Sequence, residues 1–155
     1  FKDYGMQGRT YKYFKGEPLY PFGHGLSYTH FSYKLAVPAP RTVCAGCAVK
    51  VAVDVKNDGP RAGDEVVQAY VARPGPAAPN RTLVRFLRVN LQPGEKRRVT
   101  FDLDGKALST VDAGGRRQVE AGPADVWIGG GQPGAQTSGV ALKVNVKGQR
   151  RLPQF

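Results

Sequence analysis

The stretch Ala48–Pro60 reads AVKVAVDVKNDGP, and it decides the fold class. Valine occupies every second position from 49 to 55, and Lys50, Ala52 and Asp54 lie between the valines. Such alternation is typical of a β-strand that buries one face. The closing NDGP is a turn sequence, because these residues favour the backbone angles of turns. The stretch therefore predicts a half-buried strand that ends in a turn.

The same pattern recurs along the chain at short intervals. Runs separated by Gly, Pro and Asp predict further strands near 26–37, 65–72, 83–91, 97–103, 108–111, 117–120, 125–128 and 140–146. Strands at this spacing favour an all-β antiparallel sandwich. Residues 1–25, here called the arm, do not share the period. We therefore expect an arm at 1–25, a sandwich at 26–148 and a tail at 149–155.

The chain is strongly basic, with 23 Lys and Arg against 12 Asp and Glu and a net charge of +11. The clusters Lys96–Arg98, Arg116–Arg117 and Arg150–Arg151 lie beside turns or the terminus, without the interleaved aromatic residues that stack on bases. We therefore predict no nucleic-acid partner. No apolar run could span a membrane, so no membrane partner is predicted either. The start at Phe1, with no signal peptide, predicts a piece of a longer protein.

Two cysteines form the motif Cys44-Ala-Gly-Cys47. This spacing serves half a zinc site, a redox motif or a small disulfide loop. His24 and His30 do not stand at the spacing that would complete a zinc site, and a strand rather than a helix follows the motif. A disulfide in an oxidising compartment and two free thiols both remain open. No metal and no cofactor are predicted.

The search for catalytic groups predicts none in this chain. No serine lies in a nucleophile elbow, and Asp102 and Asp104 are the carboxylate pair closest to a glycosidase arrangement. Because the two aspartates are two residues apart on a strand, their side chains would lie roughly 7 Å from each other. Asp104-Gly105 is a turn signature, however, so both side chains should face solvent.

Trp127 is the aromatic side chain that the alternation places on an outer face, because Val126 and Ile128 would face the core. It could stack on a sugar ring or cover a neighbouring domain. Sugar stacking is thus one of two predictions for Trp127.

The arm carries the most specific motif. Gly8–Thr29 reads GRTYKYFKGEPLYPFGHGLSYT, which resembles the junction in glycoside hydrolase family 3 enzymes between the second catalytic domain and a fibronectin type III-like domain. Further matches follow in order along the chain, in 51–57, 62–71, 86–89, 91–95 and 129–130. The resemblance implies an immunoglobulin-like sandwich. It departs from the family at Arg85, Ala124 and Trp127, where glycine, tyrosine and a smaller side chain are common.

The resemblance also implies a function. The parent would be a secreted or periplasmic, exo-acting, retaining β-glycosidase, closer to the β-xylosidase branch, with its catalytic aspartate and glutamate upstream of Phe1. This chain would be a non-catalytic accessory module whose partner is the catalytic domains. A polysaccharide-binding module that guides the enzyme to plant cell-wall polymer is the alternative. The expected interface residues are Arg9, Tyr11, Tyr13, Tyr20, Phe22, His24 and Tyr28.

Overall fold

The computed structural model describes residues 5–6, 8–75, 78–112, 114–134 and 137–153. One short helix and eleven strands lie within them. In chain order these are α1 (Thr10–Tyr13), β1 (Phe31–Leu35), β2 (Thr42–Cys44), β3 (Val49–Asn57), β4 (Gly63–Ala72), β5 (Thr82–Leu91), β6 (Lys96–Leu103), β7 (Thr110–Val111), β8 (Arg117–Val119), β9 (Gly122–Gly129), β10 (Gly139–Lys147) and β11 (Arg150–Arg151). The prediction of an all-β chain is confirmed.

The strands form two large sheets and one small sheet. The smaller of the large sheets has the order β1-β3-β6, and the larger sheet has the order β2-β10-β9-β4-β5. The small sheet joins β11, β8 and β7. The pairings of the described strands are antiparallel, except for β2, which runs parallel to β10. The two large sheets pack face to face as the predicted immunoglobulin-like sandwich.

The core lies between the two large sheets and follows the valine alternation. Val51, Val53 and Val55 of β3 are at most 1% exposed. They belong to one buried cluster with Leu91 of β5 and Ile128 of β9, which are strands of the larger sheet. Each buried side chain of this size stabilises the fold by roughly 1.5–3 kcal/mol. The period of two in the sequence thus marks the inner face of the sandwich.

The turn after β3 is built around the side chain of Asn57, which is 0% exposed. Its Oδ1 accepts hydrogen bonds from Thr29 Oγ1 at 2.5 Å and from the Gly59 N–H at 3.0 Å. Its Nδ2 donates to the carbonyls of Arg61 at 2.7 Å and Leu91 at 3.0 Å. Burial costs little because the whole amide is hydrogen-bonded. The turn predicted at 57–60 is therefore confirmed, and its asparagine ties together the ends of three chain segments.

Several elements differ from the sequence prediction. The first strand, predicted over 26–37, spans only Phe31–Leu35. The strand predicted over 108–111 is reduced to Thr110–Val111, because the chain turns at Leu108, whose N–H donates to the Asp104 carbonyl at 3.2 Å. Three short elements, α1, β2 and β11, carry no alternation long enough to reveal them.

The predicted tail at 149–155 is also different, because part of it belongs to a sheet. Arg150 and Arg151 form β11, which pairs with Val119 and Gln118 of β8. Leu152 then packs against the core cluster and donates its N–H to the Arg117 carbonyl at 3.0 Å. The described part of the tail is therefore a structural part of the sandwich.

Candidate docking surface

The arm folds back onto the outer face of the larger sheet through three aromatic rings. The Tyr11 ring stacks on the Phe22 ring, with centroids 4.1 Å apart and planes at 15°. The same Tyr11 ring meets Tyr70 of β4 edge-on, with centroids 6.4 Å apart. Both arrangements are favourable geometries for aromatic pairs. Tyr70 is only 1% exposed although it lies on the outer face, so the arm covers this part of the face.

Hydrogen bonds fasten the arm to the loop before β5. The Asn80 N–H donates to the Lys12 carbonyl at 2.6 Å, and Asn80 Nδ2 donates to the Phe14 carbonyl at 2.8 Å. The Leu83 N–H donates to the Tyr11 hydroxyl at 3.3 Å. These contacts satisfy backbone groups on both sides, which fixes the position of α1 on the sandwich.

A second attachment lies at the loop between β9 and β10. The Gln132 N–H donates to the Phe22 carbonyl at 2.9 Å, and the Phe22 N–H donates to Gln132 Oε1 at 3.2 Å. Gly23 follows with φ +80°, and a Cβ there would lie 2.4 Å from Oε1 of the buried Gln68. Both the backbone angle and the close approach require glycine at position 23. The arm is therefore attached at two places by contacts specific to its sequence.

Four large side chains of the arm and of residues 26–28, which follow it directly, point into solvent. Leu19 is 86% exposed, Tyr20 66%, Leu26 96% and Tyr28 89%. Isolated exposed apolar residues are common on protein surfaces, but a group of this kind on one segment marks an interaction site. The arm and residues 26–28 together thus have an attached side and an exposed apolar side.

The predicted interface residues divide between these two sides. Tyr11 and Phe22 belong to the attached side, although Phe22 remains 44% exposed. Tyr20 lies beside His24, with ring centroids 5.2 Å apart, and Tyr28 projects outward. Two other members, Arg9 and Tyr13, flank or form α1, where Arg9 is exposed and Tyr13 is half-buried. The interface at this segment stays a prediction, and the sequence alone did not indicate which side each residue faces.

The arm also encloses a cleft with the two loops that hold it. The cleft measures about 890 Å³ and is lined by Phe14, Pro18, Tyr20, Arg81 and Pro133, among others. Arg81 spans it by donating from Nη1 to the Pro133 carbonyl at 3.0 Å. Its mixed apolar and polar lining suits a protein segment, and it continues the apolar side of the arm.

Trp127 lies on the outer face of β9, as the alternation predicts, but it is half-buried. Its indole N–H donates to the Gly131 carbonyl at 3.0 Å. The ring fills the space above Gly139, where a Cβ would lie 2.5 Å from the ring. A ring in this position covers the backbone of its own sheet. Sugar stacking at Trp127 remains a prediction.

The carboxylates singled out in the sequence serve local structure. Asp102 is exposed, with Lys50 Nζ at 4.0 Å. Asp104 lies just past the end of β6, where Oδ2 accepts from Arg85 at 2.9 Å and Oδ1 accepts from the Ala107 N–H at 2.9 Å. Asp104 thus forms an ion pair and holds a turn, as its turn signature predicts, and its side chain stays 49% exposed.

One half-buried carboxylate lies outside the sequence prediction. Glu65 of β4 accepts a hydrogen bond from the Tyr33 hydroxyl of β1, so this contact joins the two large sheets. Burial raises the pKa of Glu65, and the Tyr33 hydrogen bond lowers it in part. Burial and the adjacent Glu65 carboxylate also raise the pKa of Tyr33. The inward position of Glu65 in the β4 alternation was the only sequence signal for this pair.

The structure joins Cys44 and Cys47 by a disulfide. The Cys47 N–H donates to the Cys44 carbonyl at 3.0 Å, which closes a tight turn between β2 and β3. Of the alternatives left open by the sequence, this geometry fits the disulfide. The oxidation state in solution stays a prediction.

Two further observations apply to the described ranges alone. Within them, no cluster of three or more His, Cys, Asp or Glu side chains could hold a metal ion. No helix in that part of the chain has the length and apolar character needed to cross a membrane.

Comparisons with known proteins identify the family. A family model described as "Fibronectin type III-like domain" matches residues 65–132. A "Beta-xylosidase" of Formosa agariphila is 35% identical over 137 residues, which cover 86% of this chain and 19% of that protein. A "Periplasmic beta-glucosidase" of Salmonella typhimurium is 35% identical over 114 residues, which cover 72% of this chain and 15% of that protein.

A solved structure gives the same result. The beta-glucosidase from Listeria innocua, crystallised with glucose, superposes with a TM-score of 0.77 at 33% identity, over 85% of this chain and 18% of that chain. This chain therefore spans less than a fifth of the length of these proteins. It belongs to the fibronectin type III-like domains of glycoside hydrolase family 3 enzymes.

Proposed function

We propose that this chain is a non-catalytic accessory module that stabilises the catalytic domains of an exo-acting retaining β-glycosidase. The observation that carries the proposal is that the arm, together with residues 26–28 that follow it, has two different sides. One side is fixed to the sandwich by Tyr11 and Phe22, while Leu26 and Tyr28 are 96% and 89% exposed. A segment held in place with its apolar side open is pre-organised to dock, because little entropy is lost when a partner covers it.

The partner in this proposal is the rest of the same protein. The relatives are five to seven times longer than the part this chain matches, so most of their length lies outside it. The arm precedes the sandwich in the chain, which puts its exposed residues next to any preceding domain. The catalytic carboxylates would then belong to that preceding part.

The substrate class and the compartment follow from the relatives. Their names include both beta-xylosidase and beta-glucosidase, so we propose β-xylosides or β-glucosides as the substrates of the parent enzyme. A secreted or periplasmic location is supported by the exposed disulfide, since such bonds persist in oxidising compartments, and by the relative named as periplasmic.

The test uses the enzyme that carries this chain. Replacing both Leu26 and Tyr28 by Ser should lower the stability of the whole enzyme, because each large side chain buried at the interface contributes about 1.5–3 kcal/mol. The isolated 155-residue chain should keep its melting temperature, since both side chains are exposed in it. Melting curves of both proteins and kcat/KM on aryl β-xylosides and β-glucosides provide the measurement.

The matched control is Lys34→Ser, an exposed position on β1. It should change neither melting temperature. Unchanged stability and activity of the enzyme in the double variant, and after deletion of the whole module, would refute the proposal.

A further inference from the structure

A second pocket lies away from the arm, at the end of the sandwich that carries the disulfide. It measures about 240 Å³, and its lining includes Gly46, Gly105, Leu152 and Pro153, with Lys106, Arg117 and Arg150 contributing cationic side chains. Pockets for drug-sized molecules measure about 300–1,000 Å³, so this one has room for a single small ring.

The guanidinium groups of Arg117 and Arg150 have no carboxylate partner within the described part of the chain. Arg117 Nη1 donates to Ser109 Oγ at 2.9 Å, and the Arg150 side chain lies over Gly46, where a Cβ would be 2.4 Å from its Cδ. Asp104 also lines the pocket, but its two oxygens accept from Arg85 and from the Ala107 N–H. The pocket therefore keeps a positive charge.

Several other arginines of the sandwich, unlike Arg117 and Arg150, are paired with carboxylates. Arg98 is held by Asp54 at 2.8 Å, and Arg88 donates from Nε to Asp64 at 2.9 Å. These cations are neutralised on the surface by their own strand neighbours. The contrast suggests that the arginines of the pocket are available for an external anion.

We propose that this pocket binds the carboxylate of a uronic acid unit in an acidic plant polysaccharide. Two guanidinium groups match a planar carboxylate, because each can donate two parallel hydrogen bonds. Leu152 and Pro153 offer an apolar wall against which the C–H face of one sugar ring can rest. This function goes beyond the docking role of the arm, since it uses different residues on a different surface.

Other anionic partners fit the pocket less well. A base-stacking site for nucleic acid needs aromatic side chains, and none lines this pocket among the described residues. A lipid surface requires a flat cationic face, whereas these arginines flank a concave pocket. Carbohydrate is also the substrate class named for the relatives.

The experiment is affinity electrophoresis of the 155-residue chain through gels that contain glucuronoxylan, at 150 mM NaCl. Retardation is expected, and Arg117→Gln and Arg150→Gln should each weaken it at least about fivefold, because each removes a charge-assisted contact. The same polymer with its carboxylates reduced to alcohols should not retard the chain. Melting temperatures establish that each variant is folded.

The matched control is Arg61→Gln, an exposed arginine past the far end of β3 that removes the same charge. It should leave the retardation within about twofold. Equal loss in the control, equal binding of the reduced polymer, or no retardation of the parent chain would overturn the proposal. Tighter binding to phosphatidylserine vesicles or to a single-stranded oligonucleotide would also overturn it, in favour of a lipid or nucleic-acid partner.

Discussion

The two faces of the larger sheet are covered in different ways. Its inner face packs on the smaller sheet through many aliphatic side chains, such as Leu91 and Ile128, which are 0% exposed. The part of its outer face around Tyr70 is covered by one segment of chain, attached through Tyr11, Phe22 and a few backbone hydrogen bonds. Stability should therefore depend on cumulative packing at the inner face and on single contacts at the outer face.

The largest loss of stability should come from a substitution on the inner side of the sandwich. Leu103 of β6 is 0% exposed. Leu103→Ala leaves a cavity in the core and should lower the free energy of unfolding by about 2–5 kcal/mol. Urea denaturation of the isolated chain measures the change. Tyr28→Ala removes more atoms from a residue that is 89% exposed and should change the same quantity by less than about 0.5 kcal/mol.

At the outer face, the loss of the single side chain of Tyr11 should lower the free energy of unfolding measurably. Tyr11→Ala removes both ring contacts and the acceptor for the Leu83 N–H, which should cost about 2–3 kcal/mol. Tyr11→Phe keeps the rings and should cost only about 1 kcal/mol. If Tyr11→Ala unfolds at the same urea concentration as the parent chain, the arm does not cover the sheet in solution.

The disulfide lies in the turn between β2 and β3, and its loss should have an intermediate effect on stability. Closing so short a loop restricts the unfolded chain by about 2 kcal/mol. Replacing Cys44 and Cys47 together by Ser should lower stability by about that amount, and dithiothreitol should do the same to the parent chain. Alkylation of the untreated chain by iodoacetamide at both cysteines, read by mass spectrometry, would show that the thiols are free.

The smallest effect on stability should be a pH dependence from Glu65, which contacts Tyr33 between the two large sheets. Burial raises the pKa of Glu65 above its value in the unfolded chain, so its contribution to stability is fully present below about pH 4.5 and is lost as pH rises through the folded pKa. Glu65→Gln should remove that loss, so the variant should gain stability relative to the parent chain as pH increases from 4 to 8.

Asp64, one residue earlier, provides the opposite control. Hydrogen bonds from Asn90 and Arg88 lower its pKa, so its contribution is present above the unfolded pKa and is lost as pH falls. The Asp64→Asn variant should therefore become less stable relative to the parent chain as pH rises from 2 to 5. Parallel pH profiles for the two variants would contradict the assignment of a raised pKa to Glu65 and a lowered pKa to Asp64.

The inner face and the arm also differ in how much of their structure the sequence could predict. The inner face repeats with the strand period, so the strands around Val53, Val67 and Val99 follow from alternation alone. The arm has no period, and only its aromatic and glycine content and its family resemblance signalled a role. Which ring faces the sheet depends on the position of Tyr70, which is distant in the chain.

The candidate sites also depend on long-range contacts that local sequence patterns do not show. The alternation correctly placed Trp127 outward, but its partial burial comes from Gly131 and Gly139 on a neighbouring loop and strand. The pocket of Arg117 and Arg150 arises because β11 pairs with β8, a contact between strands too short to show a period. Long-range pairing of short segments is thus the information that local patterns lack.

The two attachments of the arm also define the unit that can be exchanged between proteins. A recombination event that cut the chain at residue 25 would carry away Tyr11, Phe22 and Gly23 and leave Tyr70 and Gln68 open to water. A cut before α1 would transfer the sandwich with its own cover. The inheritable module therefore begins before α1 rather than at the first strand.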